Sequence, residues 1–412
     1  MLKSLTPDQR RLLVSFFLYA LASPMVLVYS NTFLWRQSHD ALVLVLFNIG
    51  MYASLTVGFF LNAMLLKRFR AVQLFFFGCL LQGAVPIVLV WMQAQASSYA
   101  LALGAVMGLA QGFFWANRNT ITSKFTQGSY RYRFVSLETA TTIVAGILSP
   151  FIIGWFIAMG ETLPTYTVDQ AYGLSALIGF LLLAISGTLC LRLRVEPFAL
   201  KTLFVHGASR AWNRQRWTEA LNGFTSGVES VLPLLIILLY VGQEEAVGTI
   251  KAATAALSAL VILFIGKRVK HKHHLVIVGV WGAFTLAGAG AFALYPGAGG
   301  AIALFLLGGL VGAFRWSSFT TVMYEVVDRE MHAHGGHRVL YILDREAFLN
   351  IGRVVSLGAF LVFYVLAPEA VIRYGLLIAM MTQLPALLCV ASLTRGIGRG
   401  QTPEPTEAMA KG

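Results

Sequence analysis

The chain has 412 residues, 57% of them hydrophobic and only 12% charged, with 31 Lys and Arg against 18 Asp and Glu and a formal net charge of +13. Soluble domains carry about 25% charged residues, so this composition, with a mean hydropathy of +0.72, excludes a water-soluble globular protein. Apolar runs of roughly 20 residues, each enough to cross a hydrocarbon core of about 30 Å as a helix, recur along the chain, while the short alternating strands of a membrane barrel are absent.

The reading is therefore an all-α integral membrane protein of about twelve transmembrane helices. In the first half the spans fall near residues 11–34, 41–66, 71–92, 99–122, 134–157 and 171–192, and in the second near 217–240, 245–266, 274–295, 300–326, 343–367 and 373–394. Lys3, Arg10 and Arg11 followed by an apolar run and the small residues Ala20 to Ser23 have the outline of a cleavable signal peptide. The apolar stretch continues to Trp35, however, and cleavage would leave the first half one span short, so an uncleaved first helix is expected. Pro24 in its middle frees backbone carbonyls, which membrane helices tolerate where they line a cavity.

The chain repeats itself. GLAQGFFW ending at Trp115, a basic turn and an apolar run through Glu138 are echoed by GLVGAFRW ending at Trp316, a charged turn and an apolar run through Asp344. Such self-similarity at half the chain length predicts two pseudo-symmetric six-helix bundles. We place them at residues 1–193 and 217–396, joined by a polar linker at 194–216 and followed by a disordered tail at 397–412.

Cations set the orientation. Among the odd-numbered connections Arg36 is the only Lys or Arg, whereas the even-numbered ones, the linker and both termini are rich in them. Lys and Arg stay on the cytoplasmic side during insertion, which predicts cytoplasmic termini in a cell membrane, the inner one in bacteria. The basic run KRVKHKHH then serves topology and lipid headgroups rather than nucleic acid. Cys79, Cys190 and Cys389 lack metal or disulfide spacing, and His332, His334 and His337 read as a solvated turn. No phosphate loop of the GxxxxGK[ST] type and no recurring nucleophile, base and orienting group occur, so neither an ATP-driven pump, a cofactor site nor an enzyme is expected.

Charges inside the bilayer are costly, by about 2.5 to 3.5 kcal/mol on insertion scales, and are kept mainly for function or pairing. They are Arg118, Glu138, Glu229, Lys251, Arg315, Glu346 and Arg353. The third, sixth, ninth and twelfth spans are read as carrying none and as facing lipid. Helical spacing gathers polar residues into inward stripes: Gln111, Trp115, Arg118 and Thr122; Asn222, Ser226, Glu229 and Ser230; Lys251, Thr254 and Ser258; Glu346, Asn350 and Arg353. Arg118 and Glu138 fall at similar depth and are expected to pair, as a latch near the cytoplasmic side or, alternatively, as groups in direct contact with substrate. Glu229 and Arg353 fall near the midplane, as an ion pair or as coupling and substrate groups.

On these residues the chain resembles the major facilitator superfamily over roughly residues 10–395. The resemblance implies a cavity between two six-helix bundles that opens alternately to each side. In the family's loop motif after the second span, this chain keeps Gly58 and Lys67 but has Asn62 at the acidic position that anchors a gating latch. In the fourth-span motif R-x-x-Q-G it keeps Gln111 and Gly112 but has Gly108 in place of the arginine that marks proton coupling.

The function expected is secondary active transport of a small organic solute by a monomer, with H+ or Na+ as the coupled ion. Because embedded cations outnumber acids, the reading leans toward an anionic or zwitterionic substrate, bound by Glu229, Arg353, Arg315, Lys251, Glu346, Asn222, Asn350, Trp115 and Trp316. Arg118, Glu138, Asn62, Lys67 and Asp344 are assigned to gating. Phe113, Phe114 and the two tryptophans keep open the efflux of amphiphilic drugs or siderophores. A lipid or glycolipid flippase is a further alternative; a receptor on the same scaffold is disfavoured because no sizeable soluble domain is present.

Overall fold

The computed structural model describes residues 5–125, 129–195, 202–265, 274–334 and 338–399, and helices are the only regular secondary structure among them. In chain order these are α1 (Pro7–Ser38), α2 (Ala41–Leu65), α3 (Ala71–Met92), α4 (Ala100–Phe125), α5 (Ser129–Thr162) and α6 (Val168–Leu191). The second set is α7 (Arg210–Tyr240), α8 (Glu244–Ile265), α9 (His274–Leu294), α10 (Ala298–His334), α11 (Arg338–Leu366) and α12, in two segments Pro368–Met381 and Gln383–Arg399. The protein is an all-helical membrane protein: among the described residues 10 helical stretches are long and apolar enough to cross a bilayer, one of them holding both α3 and α4, and Ala298–Leu310 is a shorter apolar part of α10.

Pseudo-symmetry is visible in the packing. In the first half α2 packs on α4, α3 on α4 and α6, and α1 on α5 and α6; in the second α8 packs on α10, α9 on α10 and α12, and α7 on α11 and α12. Every one of these pairs recurs six helices later. Single hydrogen bonds recur too. Ser54 Oγ of α2 donates to the Ala105 carbonyl of α4 at 2.6 Å, and Ser258 Oγ of α8 donates to the Gly309 carbonyl of α10 at 2.5 Å. Interhelical bonds of this kind contribute only about 0.6 kcal/mol on average, so they fix rotation more than strength.

The α2–α4 crossing is close because both helices present small residues. A Cβ at Gly104 would collide with the Phe47 carbonyl oxygen, and one at Gly108 with that of Met51. Gly108 thus stands where no side chain fits, which is a packing reason for the absence of the arginine that the fourth-span motif leads one to expect.

Some boundaries differ from the sequence reading. Residues 210–216, read as linker, form the first two turns of α7, capped by Ser209 Oγ accepting from the Trp212 amide at 3.1 Å. Pro24 does not break α1: residues Pro24–Val28 widen into one π-helical turn. Arg373 lies inside α12, so that span is not free of charge; its Nε donates to the Ala293 carbonyl at the end of α9, 2.6 Å away. The lipid-facing expectation for α3, α6 and α9 agrees with large exposed apolar side chains such as Phe77, Leu181 and Phe284.

The main contacts between the halves are α5 with α8 and α2 with α11, with a lighter one between α2 and α7. We call the end of the bundle where α1 starts the terminal end, and the opposite one the distal end. Near the terminal end the second seam is apolar, with Leu343 packed on Leu55, Phe59 and Ala63.

Candidate functional site

The central charges lie on the second half. Arg315 of α10 donates through Nη1 to Glu229 Oε2 of α7 at 2.8 Å and through Nη2 to Asn222 Oδ1 at 2.5 Å. Its guanidinium sits 3.9 Å from the ring centroid of Trp281 on α9. Three helices therefore hold one cation, and the aromatic face adds about 2 kcal/mol where water is excluded. The midplane partner of Glu229 is Arg315, not Arg353. Heptad spacing brings Asn222 and Glu229 to one side of α7, but only the packing of α10 against α7 determines which arginine arrives there. Asn222 is fully buried and Arg315 is 7% exposed, yet Asn222 Nδ2 and Arg315 Nε have no acceptor among the described residues. Buried donors almost always find a partner, so these two are available to water or to a substrate oxygen.

Arg353 of α11 belongs to the seam. Its Nε donates to Ser226 Oγ at 3.1 Å and its Nη1 to Asn350 Oδ1 at 2.9 Å, while its guanidinium lies 4.7 Å from the ring centroid of Tyr52 on α2. Asn350 in turn donates to the Glu346 carbonyl at 2.9 Å. Gly223, Gly227 and Gly352 let α7 and α11 approach closely enough for this; a Cβ at Gly352 would meet the Ala220 carbonyl oxygen. Arg353 is thus a half-buried cation about 20 Å from the distal end of α11 at 1.5 Å per residue, stacked on an aromatic residue of the opposite half.

Lys251 lies two turns into α8, on the face that carries Thr254 and Ser258. The other face carries exposed Ala253, Leu260 and Phe264, which is the side for lipid. Thr254 touches Gly309 of α10, and Ala255 approaches Gly146 of α5. The Lys251 side chain is exposed, on the face that packs toward α10 and α5. It has no ion-pair partner among the described residues.

Glu346 and Asp344, from the same stretch, belong elsewhere. Glu346 accepts from Arg345 Nη1 at 2.6 Å, and Arg345 also faces Glu219 Oε1 at 3.1 Å. Glu219 is 1% exposed and accepts a further bond from Gln215 at 2.8 Å. Asp344 is held bidentately by Arg216, at 2.7 Å and 2.9 Å, and accepts from Trp212 Nε1 at 2.7 Å. These residues tie α7 to α11 at the terminal end, away from Glu229. Sequence reasoning missed Glu219, Arg345, Arg216 and Trp212 because they fell in the polar linker or at a span boundary. The run Asp344, Arg345, Glu346 at the head of an apolar helix was the available signal.

In the first half, Arg118 and Glu138 form an ion pair, with the Arg118 guanidinium 4.8 Å from the Phe16 ring and 5.2 Å from Trp115. Trp115 is 36% exposed and packs edge-on against Tyr19 and Phe114. Asn62 is buried and accepts from Asn117 Nδ2 at 2.5 Å, a neutral contact where the family motif has an acid. Lys67 is exposed beyond the end of α2. Trp316 lies within α10, but its side chain falls outside the described residues, as do His337 and Lys267 to His273 of the basic run.

Comparison with known proteins agrees with this architecture. The family model described as Major Facilitator Superfamily matches residues 12–336. The chain belongs to the Major Facilitator Superfamily. This transporter is 26% identical over 359 residues to the uncharacterized protein YqgE of Bacillus subtilis (strain 168), covering 86% of this chain and 82% of that one. A Geobacillus stearothermophilus protein known only as uncharacterized, in the sodM 3' region, is 28% identical over 151 residues, 36% of this chain and 70% of its own. Among solved structures, the transporter resembles an inward-facing bacterial homologue of the iron transporter ferroportin, with TM-score 0.67 at 14% identity over 95% of this chain and 99% of that one. It also resembles an inward-facing, occupied bacterial homologue of the human lysosomal transporter Spinster (TM-score 0.66, 12% identity, 97% and 100% coverage) and outward-facing FucP (TM-score 0.60, 13% identity, 94% and 99% coverage). At such identities these likenesses show the fold, that of a membrane transporter.

Proposed function

We propose that this protein is a secondary active transporter, working by alternating access, whose substrate is a small organic solute carrying a carboxylate or phosphate group, anionic or zwitterionic overall. The observation that carries this reading is Lys251, an exposed cation on the α8 face that carries Thr254 and Ser258, with no ion-pair partner among the described residues. An ammonium in that position attracts an anion, and midplane sites between repeats are where such transporters bind substrate. Arg353 on the seam supplies a second cation, and the spare donors of Arg315 and Asn222 supply hydrogen bonds.

Glu229 is the coupling group in this proposal. Protonated, it releases Arg315 to the substrate; ionised, it competes for the same guanidinium. Protons are the coupled ion, Arg118 with Glu138 a latch at the terminal end, and that end, rich in Lys and Arg, is cytoplasmic. One chain encloses the path, so the working unit is a monomer in the cell membrane.

The test is a thermal-shift screen of purified protein against carboxylates, sugar phosphates, amino acids and cationic drugs, followed by uptake of each labelled hit into proteoliposomes. Saturable uptake of an anion or zwitterion, lost in Lys251→Gln, supports the proposal. Stabilisation and transport confined to cationic amphiphiles, or to labelled lipid, would replace it with the efflux or flippase reading.

A further inference from the structure

At the distal end the seam is closed by ions. Arg36, at the end of α1, donates to both oxygens of Glu244 at 3.2 Å each and to Glu161 Oε1 at 2.5 Å. Glu161 belongs to α5, in the same half as Arg36, whereas Glu244 opens α8 in the other half. Glu244 is 2% exposed, and its Oε1 also accepts from Tyr172 Oη of α6 at 2.6 Å. Tyr172 donates to Thr32 as an alternative, at 3.0 Å. All of these partners of Glu244 come from the first half, so the carboxylate is plugged into a socket made by α1 and α6. Beneath it the backbones touch: a Cβ at Gly154 of α5 would collide with the Glu244 carbonyl, and one at Gly248 of α8 with that of Pro150.

We infer that Arg36 and Glu244 form a reversible latch that holds the distal end of the transport path shut, with Glu161 as the resting partner of Arg36 when the latch opens. When α8 swings away from α5, Arg36 keeps Glu161 and is not stranded. Glu244 leaves as the first residue of α8, where the free amides and the positive end of the helix dipole favour a carboxylate. Neither half is left with an uncompensated buried charge, which is the condition for an ion pair that must break in every cycle. The terminal end has no counterpart across the α2–α11 seam in the described residues, where the contact around Leu343 is apolar. The two ends therefore close by different physics.

The experiment uses the full chain with Cys79, Cys190 and Cys389 replaced, nitroxide labels at Ser98→Cys and Ala298→Cys on exposed distal turns of opposite halves, and the distance distribution between them in lipid nanodiscs. Glu244→Gln and Arg36→Gln are each expected to add or enlarge a longer-distance population. Glu161→Gln is expected to leave the distribution as in the parent, because Arg36 still reaches Glu244. Gly154→Val, a steric wedge in the same seam, shows that the labels report opening. An unchanged distribution in both Glu244→Gln and Arg36→Gln overturns the latch, whether or not the wedge opens the seam. So does Glu161→Gln opening the seam as far as Glu244→Gln. If one variant yields no folded protein, the other tests the same contact from the opposite half. None of these readings depends on which solute is carried.

Discussion

Arg315 and Glu229 meet at 2.8 Å, with the arginine side chain 9% exposed and the glutamate 26%. The more deeply buried member is the cation, held additionally by Asn222 and by the face of Trp281. Losing the carboxylate therefore strands the charge that water can least reach.

Glu229→Ala is expected to cost about 3 kcal/mol, at the lower end for a broken buried pair because the carboxylate retains some solvent. The double variant Glu229→Ala/Arg315→Leu should recover a large part of it. Unfolding of the purified protein checks this through a double-mutant cycle, and a coupling energy below about 0.5 kcal/mol would show that the pair contributes nothing structural.

Glu229→Gln keeps the shape of the side chain and its acceptor oxygen but removes its titration. We expect proton-driven accumulation to be abolished while counterflow exchange persists. Uphill transport at the parent rate, measured in proteoliposomes with an imposed pH gradient, would remove Glu229 from coupling.

Lys251 makes no ion pair among the described residues, so Lys251→Gln should change stability by less than about 0.5 kcal/mol while abolishing saturable anion uptake. Lys251→Arg should retain binding with a shifted KM. A large loss of melting temperature in Lys251→Gln, without a specific transport defect, would mean that the lysine is structural.

Arg345 bridges Glu219, which is 1% exposed, and Glu346 at the terminal end. Arg345→Leu should destabilise by about 3–5 kcal/mol, since it leaves buried carboxylate without its cation. Adding Glu219→Gln should restore part of that in the same unfolding measurement.

Gly108→Val should lower folded yield and stability by about 1–3 kcal/mol through overpacking, because its Cβ would be driven into the Met51 carbonyl. Parent-like melting would show that α2 and α4 can move apart at little cost.

Much of this molecule was legible before any coordinates. Hydropathy gave the spans because a bilayer admits helices of one length and little else, and repetition gave the two bundles because corresponding helices must bury corresponding faces. Part of the charge pattern was legible for the same reason: a charge that lipid rejects packs against other helices, as Arg315 does against Trp281 and Arg353 against Tyr52.

Which charges meet was not legible. Periodicity assigns a residue to a face and a depth, but the partner comes from another helix whose rotation and translation depend on packing summed over its whole length. That is why Glu229 finds Arg315 rather than Arg353, and why Arg345, at a span boundary, sits between Glu219 and Glu346. In the sequence Arg36 is simply the lone cation among the odd-numbered connections. Its bond to Glu244 joins residues on opposite halves of the chain, and only the way the α5–α8 seam closes on its glycines brings them together.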